Sequence, residues 1–359
     1  MNKPVLVQLV QKMAVGGLET MALTLGERLE EHFEVHYLSL EGEADTLMEQ
    51  WPRLLQLKRF SALNKGAGVD SELVKSLRRY LKQYKVTHLH SHHIGPLIYG
   101  GAAAIGLGIE HVHTHHDGWS LTLGRQRQLT RLAETLFRPA MVADARAVAR
   151  AYEQQGCRIE KVIPNGVAAS RFLPSDQQAA RRQFGLPGRA LLMGTACRLE
   201  PVKGVDRLLT LLTRLPEEVH LVIAGQGSER ENLQTMAENL GVAKRCHFLG
   251  QVERMELWYP ALDLFCLASH HEGAPMSLLE AQACEVPVVA TNVGNCRDMV
   301  CTKMGCIVGG DKVEEWLRPV RRLLSLSRQS RGVLRRFVLS HGSDTTMAQQ
   351  YLTLLEEKA

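Results

Sequence analysis

Short apolar runs alternate with longer amphipathic segments along this 359-residue chain. Strand-like runs at Val5–Val10, Val35–Leu40, Val86–His90, Glu110–Thr114 and Ala140–Ala143 are separated by helical patterns. These fall at about Leu18–Glu30, Ser71–Tyr84, Gly101–Gly106 and Leu129–Phe137. The rhythm breaks at Ile163-Pro164-Asn165-Gly166, and the polar stretch up to Pro187-Gly188 reads as a connection between domains. It restarts with strands Ala190–Ala196, His220–Ala224, His247–Leu249, Leu264–Leu267 and Val286–Ala290. Helices Val205–Leu215, Glu229–Leu240 and Ser277–Cys284 alternate with them. A β-then-α rhythm predicts parallel sheets with crossover helices, hence an α/β chain. Two doubly wound halves would place ligands at the carboxyl ends of their strands, in a cleft between them.

Composition agrees with two cores. The length exceeds what one core usually serves, and 45% hydrophobic with 23% charged residues is an ordinary globular balance. The net charge of +5 suits a phosphorylated ligand or an anionic lipid surface. With no nucleic-acid-binding motif, a nucleic-acid partner is not expected. Met1-Asn2-Lys3-Pro4 leads straight into a strand with no signal-peptide pattern, and no apolar run approaches the roughly 20 residues of a membrane span. Eight cysteines between Cys157 and Cys306, with no C-x-x-C pair, read as buried reduced thiols and predict a cytoplasmic location.

Candidate chemistry in the second half begins where strand Ala190–Ala196 ends in Arg198-Leu-Glu-Pro-Val-Lys203-Gly204. Two cations at a strand's carboxyl end can stabilise a departing diphosphate, whose negative charge grows in the transition state. Arg forks onto phosphate oxygens and Lys acts as a point charge. The spacing alone also fits an exposed surface pair. Strand Leu264–Leu267 feeds Ser269-His-His-Glu272-Gly273-Ala274-Pro275-Met-Ser277-Leu278-Leu-Glu280. Backbone amides from Gly273 to Leu278 can face an anion at a helix N-terminus. Glu272, in the loop, and Glu280, in the first helical turn, can accept sugar hydroxyls. Ser277-Leu-Leu-Glu280 is also a capping box, which would explain Glu280 without a ligand.

Taken together, Arg198-x4-Lys203, Glu272-x7-Glu280 and Ala283-Cys-Glu-Val-Pro287-Val-Val-Ala-Thr closely resemble the retaining family-four glycosyltransferases of GT-B fold. The resemblance implies two facing Rossmann-like domains with a cleft between them. Residues 1–165 would form the acceptor-side domain, with the C-terminal helix in 345–359 packing back on it. Residues 166–344 would bind a nucleotide-diphosphate sugar. By the same match Arg198 and Lys203 hold the diphosphate, Glu272 the donor sugar and Glu280 the ribose. Gly250-Gln251-Val252 would meet the nucleobase, and Gly273, Ala274, Pro275, Ser277 and Leu278 would line the sugar and phosphates. The implied reaction is a front-face substitution with retention, in which the leaving phosphate takes the acceptor proton. Arg198, Lys203 and a helix N-terminus would replace the magnesium of other transferases, and no Asp-x-Asp motif is evident. Activity without metal or bound cofactor is therefore expected. The resemblance also implies a glycan or lipid-linked acceptor, as in surface polysaccharide and lipopolysaccharide biosynthesis.

In the first half Gly16-Gly17 follows the first strand and opens a helix, either as a tight turn or as a close approach to a ligand. Eight histidines crowd two strand ends, in His88-Leu-His90-Ser-His92-His93 and His111-Val-His113-Thr-His115-His116-Asp117. Alternation would put His88, His90 and His92 on one face, and His111, His113 and His115 on one face. No recognised metal motif is present, so no metal site is expected. The rival readings are a histidine-based metal-dependent hydrolase or deacetylase and a non-catalytic scaffold of the same fold. The resemblance makes His116 a cleft residue near donor sugar and acceptor, with Asp117 orienting it or the acceptor. Four departures from the family pattern stand out: Ala168 after Asn165-Gly166-Val167, Ala145 for a serine, Glu285 for a glycine, and Gly294-Asn295 for Gly-Gly. Finally, Arg125, Arg127, Arg131 and Arg138 are interspersed with Leu132, Leu136 and Phe137. That pattern fits a helix lying on an anionic membrane, or a solvated face over a packed stripe, and Arg318–Arg336 is a competing basic run.

Overall fold

The computed structural model describes residues 3–66, 68–117, 124–309, 312–326 and 332–357. Arg328 and Arg331 of the C-terminal basic run, and the ends Met1-Asn2 and Lys358-Ala359, lie outside the described residues. Two compact units are present: Met1–Gly166 with Asp344–Ala359, and Val167–Ser343.

The first unit runs β1 (Val5–Lys12), α1 (Gly17–Leu29), β2 (Glu34–Glu41), α2 (Ala44–Gln50), β3 (Phe60–Ala62) and α3 (Ser71–Gln83). It continues with β4 (His88–His92), α4 (Ile94–Ala104), β5 (Glu110–His115), α5 (Gly124–Phe137), β6 (Ala140–Ala143), α6 (Arg146–Gln154) and β7 (Lys161–Val162). The sheet order is β3-β2-β1-β4-β5-β6-β7, and its pairings are parallel.

The second unit runs α7 (Gln177–Gln183), β8 (Leu191–Ala196), α8 (Val205–Leu212), β9 (Val219–Ala224), α9 (Arg230–Asn239), β10 (Cys246–Gly250) and α10 (Met255–Trp258). Then come β11 (Leu264–Leu267), α11 (Met276–Ala283), β12 (Val288–Thr291), β13 (Gly305–Val308), α12 (Val313–Leu324) and α13 (Gly332–His341). Its parallel sheet is ordered β10-β9-β8-β11-β12-β13. Each unit is thus a doubly wound, Rossmann-like sheet.

The last helix, α14 (Asp344–Glu356), belongs to the first unit. Its Met347, Tyr351 and Leu355 share a core with Leu6, Met21 and Leu25. Arg28 Nε donates to Asp344 Oδ2 at 2.7 Å, and the Tyr351 hydroxyl meets Thr114 Oγ1 at 2.8 Å.

Several differences from the sequence reading have physical causes. The glycine-rich segment expected to form a helix at Gly101–Gly106 begins its helix at Ile94. Gly100 and Gly101 sit inside α4, where added Cβ atoms would come to 2.9 Å from Leu9 and 3.0 Å from Leu89, and to 2.3 Å from Phe137. These glycines permit close packing rather than punctuating the chain. The second sheet does not end at Val286–Ala290, since β13 extends it. The polar stretch 166–188 contains α7, held by the buried Arg181. Its Nη2 lies 2.6 Å from Asp263 Oδ2, which also accepts from the Leu192 amide. A charged residue in a polar stretch looked like linker; here its fork is fully used in the interior.

Candidate active site

In a doubly wound sheet, strand order reverses between two neighbouring strands, and the loops after them diverge to leave a crevice. In the second unit these strands are β8 and β11. The loop after β8 carries Arg198 and Lys203, and the loop after β11 carries Ser269 and Glu272. Residues about seventy positions apart are thereby brought together. Lys203 Nζ donates to Glu272 Oε1 at 2.7 Å, and Ser269 Oγ donates to the same oxygen at 2.6 Å. Ser269 is fully buried, and its carbonyl is held by Thr291 Oγ1 at 2.7 Å. Arg198 is exposed, and its side chain makes no hydrogen bond or ion pair among the described residues. Its guanidinium is therefore available to an incoming anion.

The backbone around these side chains is glycine-dependent. Gly204 links Lys203 to α8 at φ 61°, and a Cβ there would lie 2.2 Å from the Ala268 carbonyl oxygen. Gly225 and Gly227 abut the Arg198 segment, their missing Cβ atoms falling 1.9 Å from Cys197 O and 2.3 Å from Leu199 O. Gly225-Gln-Gly227 thus packs the Arg198 loop against β9. The Leu199 amide completes this by donating to Gln226 O at 2.8 Å.

Glu280 differs from its expected setting. Helix α11 begins at Met276, so Glu280 lies just beyond its first turn. The N-cap is Pro275, and no side chain caps the helix. The capping box is therefore absent. Glu280 instead accepts a hydrogen bond at Oε2 from the Tyr259 hydroxyl at 2.7 Å. Burial pushes its carboxyl above the usual range, against the lowering effects of the Tyr259 bond and Arg171. The Leu278 amide donates to Pro275 O at 3.2 Å, so among the described residues this uncapped end leaves the Met276 and Ser277 amides as donors for an anion. Gly273 and Ala274 precede the helix, Ser277 is its second residue, and Leu278 is fully buried beneath it. Gly250 ends β10 at φ 74°, and Val252 packs against the core under α11.

Two departures become intelligible here. Gly294, at φ 52°, would drive a Cβ to 2.1 Å from Glu272 O, whereas Asn295 contributes backbone groups, its N–H donating to Gly273 O at 2.8 Å and its carbonyl accepting from the Asp298 N–H at 3.1 Å. Only the first of the pair needs to be glycine. Glu285 occupies φ 62°, a left-handed conformation that explains a glycine preference. Its Oε1 accepts from the Arg335 amide at 3.0 Å.

In the first unit the reversal lies between β1 and β4. Gly16 is the N-cap of α1, and Gly17 faces open space. His93 opens α4 at φ 70°, a strained value for a residue with a Cβ. The histidines are divided between the two faces of the sheet. On one face His90 packs against His92 and Tyr351 and bonds Thr114. On the other, Ser91 Oγ meets His111 Nε2 at 2.7 Å and His113 Nδ1 at 2.9 Å, while His115 stacks on Tyr152. Among the described residues no three His, Cys, Asp or Glu side chains are grouped to hold a metal ion. Burial keeps these rings neutral: His90, His92 and His113 are pushed well below the ordinary histidine range, and His111 and His115 to about 3.

His116 is the partly exposed end of this array. Its Nε2 lies 3.0 Å from His92 Nδ1 and its Nδ1 lies 3.3 Å from Asp144 Oδ2. His92 Nε2 donates to Gln8 Oε1 at 2.9 Å, and Asn165 Nδ2 donates to Asp144 Oδ2 at 2.9 Å. Asp144 and Asn165 come from loops after β6 and β7, so His116 is oriented by Asp144. Asp117 is adjacent and partly buried. Gln8, His92, Asp144 and Asn165 share no signal in the linear sequence, because the sheet alone joins them. Ala145 is the N-cap of α6 and makes no cap hydrogen bond, so the serine it replaces would have served that helix.

Residues 15–171 match the family model described as Glycosyltransferase Family 4, and residues 176–335 match that described as Glycosyl transferases group 1. A D-inositol 3-phosphate glycosyltransferase of Mycobacterium sp. (strain JLS) is 35% identical over 197 residues, covering 52% of this chain and 43% of the relative. Its counterpart in Xylanimonas cellulosilytica is 36% identical over 196 residues, covering 49% and 47%. The chain spans less than half the length of these relatives. Among solved structures, Anabaena HepE in complex with UDP superposes with a TM-score of 0.85 at 20% identity, covering 98% of this chain and all of the other. WaaG, a glycosyltransferase involved in lipopolysaccharide biosynthesis, gives 0.73 at 17% identity, covering 98% and 99%.

Proposed function

We propose that this chain, which belongs to the family-four glycosyltransferases of GT-B fold, moves a sugar from a nucleoside-diphosphate donor to an acceptor hydroxyl. The observation that carries this reading is the Lys203–Glu272–Ser269 cluster on the two loops at the second unit's strand reversal, with the unpaired Arg198 on one of them. A donor diphosphate there would gain charge as its glycosidic bond breaks, and Arg198 and Lys203 would stabilise that charge. Glu272, now held by Lys203 and Ser269, would accept hydroxyls of the sugar. Glu280 would accept from the ribose. His116 and Asp117 would serve the donor sugar and acceptor, while Gly16 and Gly17 would let backbone approach the phosphates. Transfer with retention and without a divalent cation fits a site whose positive charge is supplied by side chains and an uncapped helix end.

A donor panel read by nucleotide release tests this. One nucleotide sugar should turn over, activity should persist in EDTA, and NMR of the product should show the donor's anomeric configuration. No turnover with any donor and acceptor pair, or inversion, would overturn it. Loss in EDTA restored by Mg²⁺, Mn²⁺ or Zn²⁺ would remove the metal-free part. Glycans and lipid-linked sugars are the preferred acceptors. Inositol phosphate belongs in the panel because the named relatives act on D-inositol 3-phosphate.

A peripheral place on an anionic bilayer is part of the proposal. Among the described residues no helix is long and apolar enough to cross a membrane. On α5, Leu132 and Leu136 are 54% and 60% exposed beside exposed Arg125, Arg131 and Arg138. Arg127 is partly withdrawn, donating to Gln155 Oε1 at 2.9 Å. In the competing basic run Arg335 is spent on the carbonyls of Ala169, Phe172 and Ala283. Binding to vesicles of phosphatidylglycerol and phosphatidylcholine should be salt-sensitive and should fall several-fold in Arg125→Glu/Arg131→Glu. Leu132→Ser/Leu136→Ser should weaken it at every salt concentration. No sedimentation with such vesicles at low salt would remove the membrane surface from this reading.

A further inference from the structure

Tyr259 lies outside every motif singled out in the sequence, yet its hydroxyl donates the side-chain hydrogen bond that the Glu280 carboxylate accepts among the described residues. The Tyr259 ring is fully buried, set edge-on against Trp258, Phe265 and Phe172 with centroids 5.2, 5.6 and 6.0 Å away. Three aromatic neighbours leave the ring no other orientation, so the hydroxyl has a prescribed position. Burial and the adjacent carboxylate hold the phenol well above its ordinary range. It is therefore a permanent donor. Glu280 Oε2 accepts that proton at 2.7 Å, and no donor among the described residues meets Oε1.

We infer that Tyr259 is a positioning residue that commits one oxygen of Glu280 and presents the other to the donor nucleotide's ribose, setting affinity for the nucleotide and its pH dependence. This rests on the proposed role of Glu280 as the ribose acceptor. A carboxylate in this pocket is useful only while ionised, because a protonated acid loses acceptor capacity. Burial works against ionisation. The Tyr259 hydrogen bond and Arg171 work for it, and Glu256 works against it. Arg171 is itself paired with Glu256, Nη2 to Oε2 at 3.0 Å, which tempers both contributions. Cys284, at the end of α11, also feels Glu280, and its thiol is driven up by burial and by that carboxylate. The ionised state of Glu280 thus depends on a hydroxyl whose removal leaves the aromatic packing intact.

Tyr259→Phe tests the inference with two readouts in the full chain. The first is the titration of Glu280 in the ligand-free protein, followed by 13C NMR of labelled glutamate carboxyls and assigned with Glu280→Gln. The titration should move to higher pH in Tyr259→Phe. The second is the affinity for UDP, GDP and ADP, measured calorimetrically from pH 5 to 8, with the 2′-deoxy form of the tightest binder alongside. Affinity should fall several-fold at pH 7, because a carboxylate that is partly protonated or no longer aimed accepts less well from the ribose. The acid side of the profile should move up in pH, and discrimination against the deoxy form should shrink. In the Glu280→Gln background, Tyr259→Phe should leave the pH profile unmoved. If the NMR titration is unchanged, the positioning role is wrong. If it moves while affinity and ribose discrimination do not, Tyr259 does position Glu280 and the ribose assignment of Glu280 fails instead.

Discussion

Lys203→Ala should lower turnover by roughly 100-fold or more while the fold persists, and Arg198→Ala should do comparable harm for a different reason. The scale is that of removing one donor from a site of developing negative charge, about 2.7 kcal/mol of barrier. The Arg198 side chain is exposed and has no hydrogen-bond or ion-pair partner among the described residues, so its removal should subtract mainly its interaction with the diphosphate. Lys203 is partly buried and paired with Glu272. Its removal should also leave that carboxylate facing the phosphate site with only Ser269 as partner. Binding of a nucleoside diphosphate should therefore weaken more in Lys203→Ala than in Arg198→Ala. Glu272→Gln should reduce turnover to a similar degree, since an amide presents one acceptor where the carboxylate presents two. Circular dichroism and thermal melting would establish that the variants fold. Near-parental turnover in folded Lys203→Ala or Arg198→Ala would remove that residue from the mechanism.

The first unit should lose stability steeply as pH falls from about 6.5 toward 4, and should open before the second unit. The sign follows from the buried histidines. His90, His92, His111, His113 and His115 all have folded-state affinities for protons far below the unfolded value, because burial penalises the cation. His93 is lowered to about 4. An unfolded chain takes up protons through this window while the folded chain does not. Stability is therefore complete above the unfolded value and declines as pH drops. Each such ring would cost about 2 kcal/mol at pH 5, from roughly 1.4 kcal/mol per pH unit. Two or three of them would consume much of an ordinary domain's stability. In the second unit, burial also lowers His220 and His247, but both are partly exposed. Hydrogen exchange with mass spectrometry, corrected for intrinsic pH effects, should show β4 and β5 losing protection between pH 7 and 5 ahead of β8 and β11. Equal protection of β4 and β5 at both values would show that the array is not the acid-sensitive element.

The α/β class and the alternation of its elements are determined by the sequence itself, because strand and helix periodicities are local properties of neighbouring residues. The same locality placed Arg198 and Lys203 on one loop and Glu272 ahead of one helix, since each sits directly after an apolar strand. Where evidence had to come from distant residues, the linear pattern was silent or ambiguous. Ser277-Leu-Leu-Glu280 has the spacing of a capping box, yet the helix starts one residue earlier and Tyr259 takes the carboxylate. Arg181 read as part of a polar connection until Asp263, eighty-two residues on, gave it a buried partner. Alternation predicts which histidines of each strand share a face, but only the parallel register of β4 and β5 decides that the two sets lie on opposite faces. The Lys203–Glu272 pair and the Asp144–His116–His92–Gln8 chain exist only because crossovers bring separate strand ends side by side. Burial and hydrogen-bond partnership are decided there, by what packs against a side chain rather than by what precedes it.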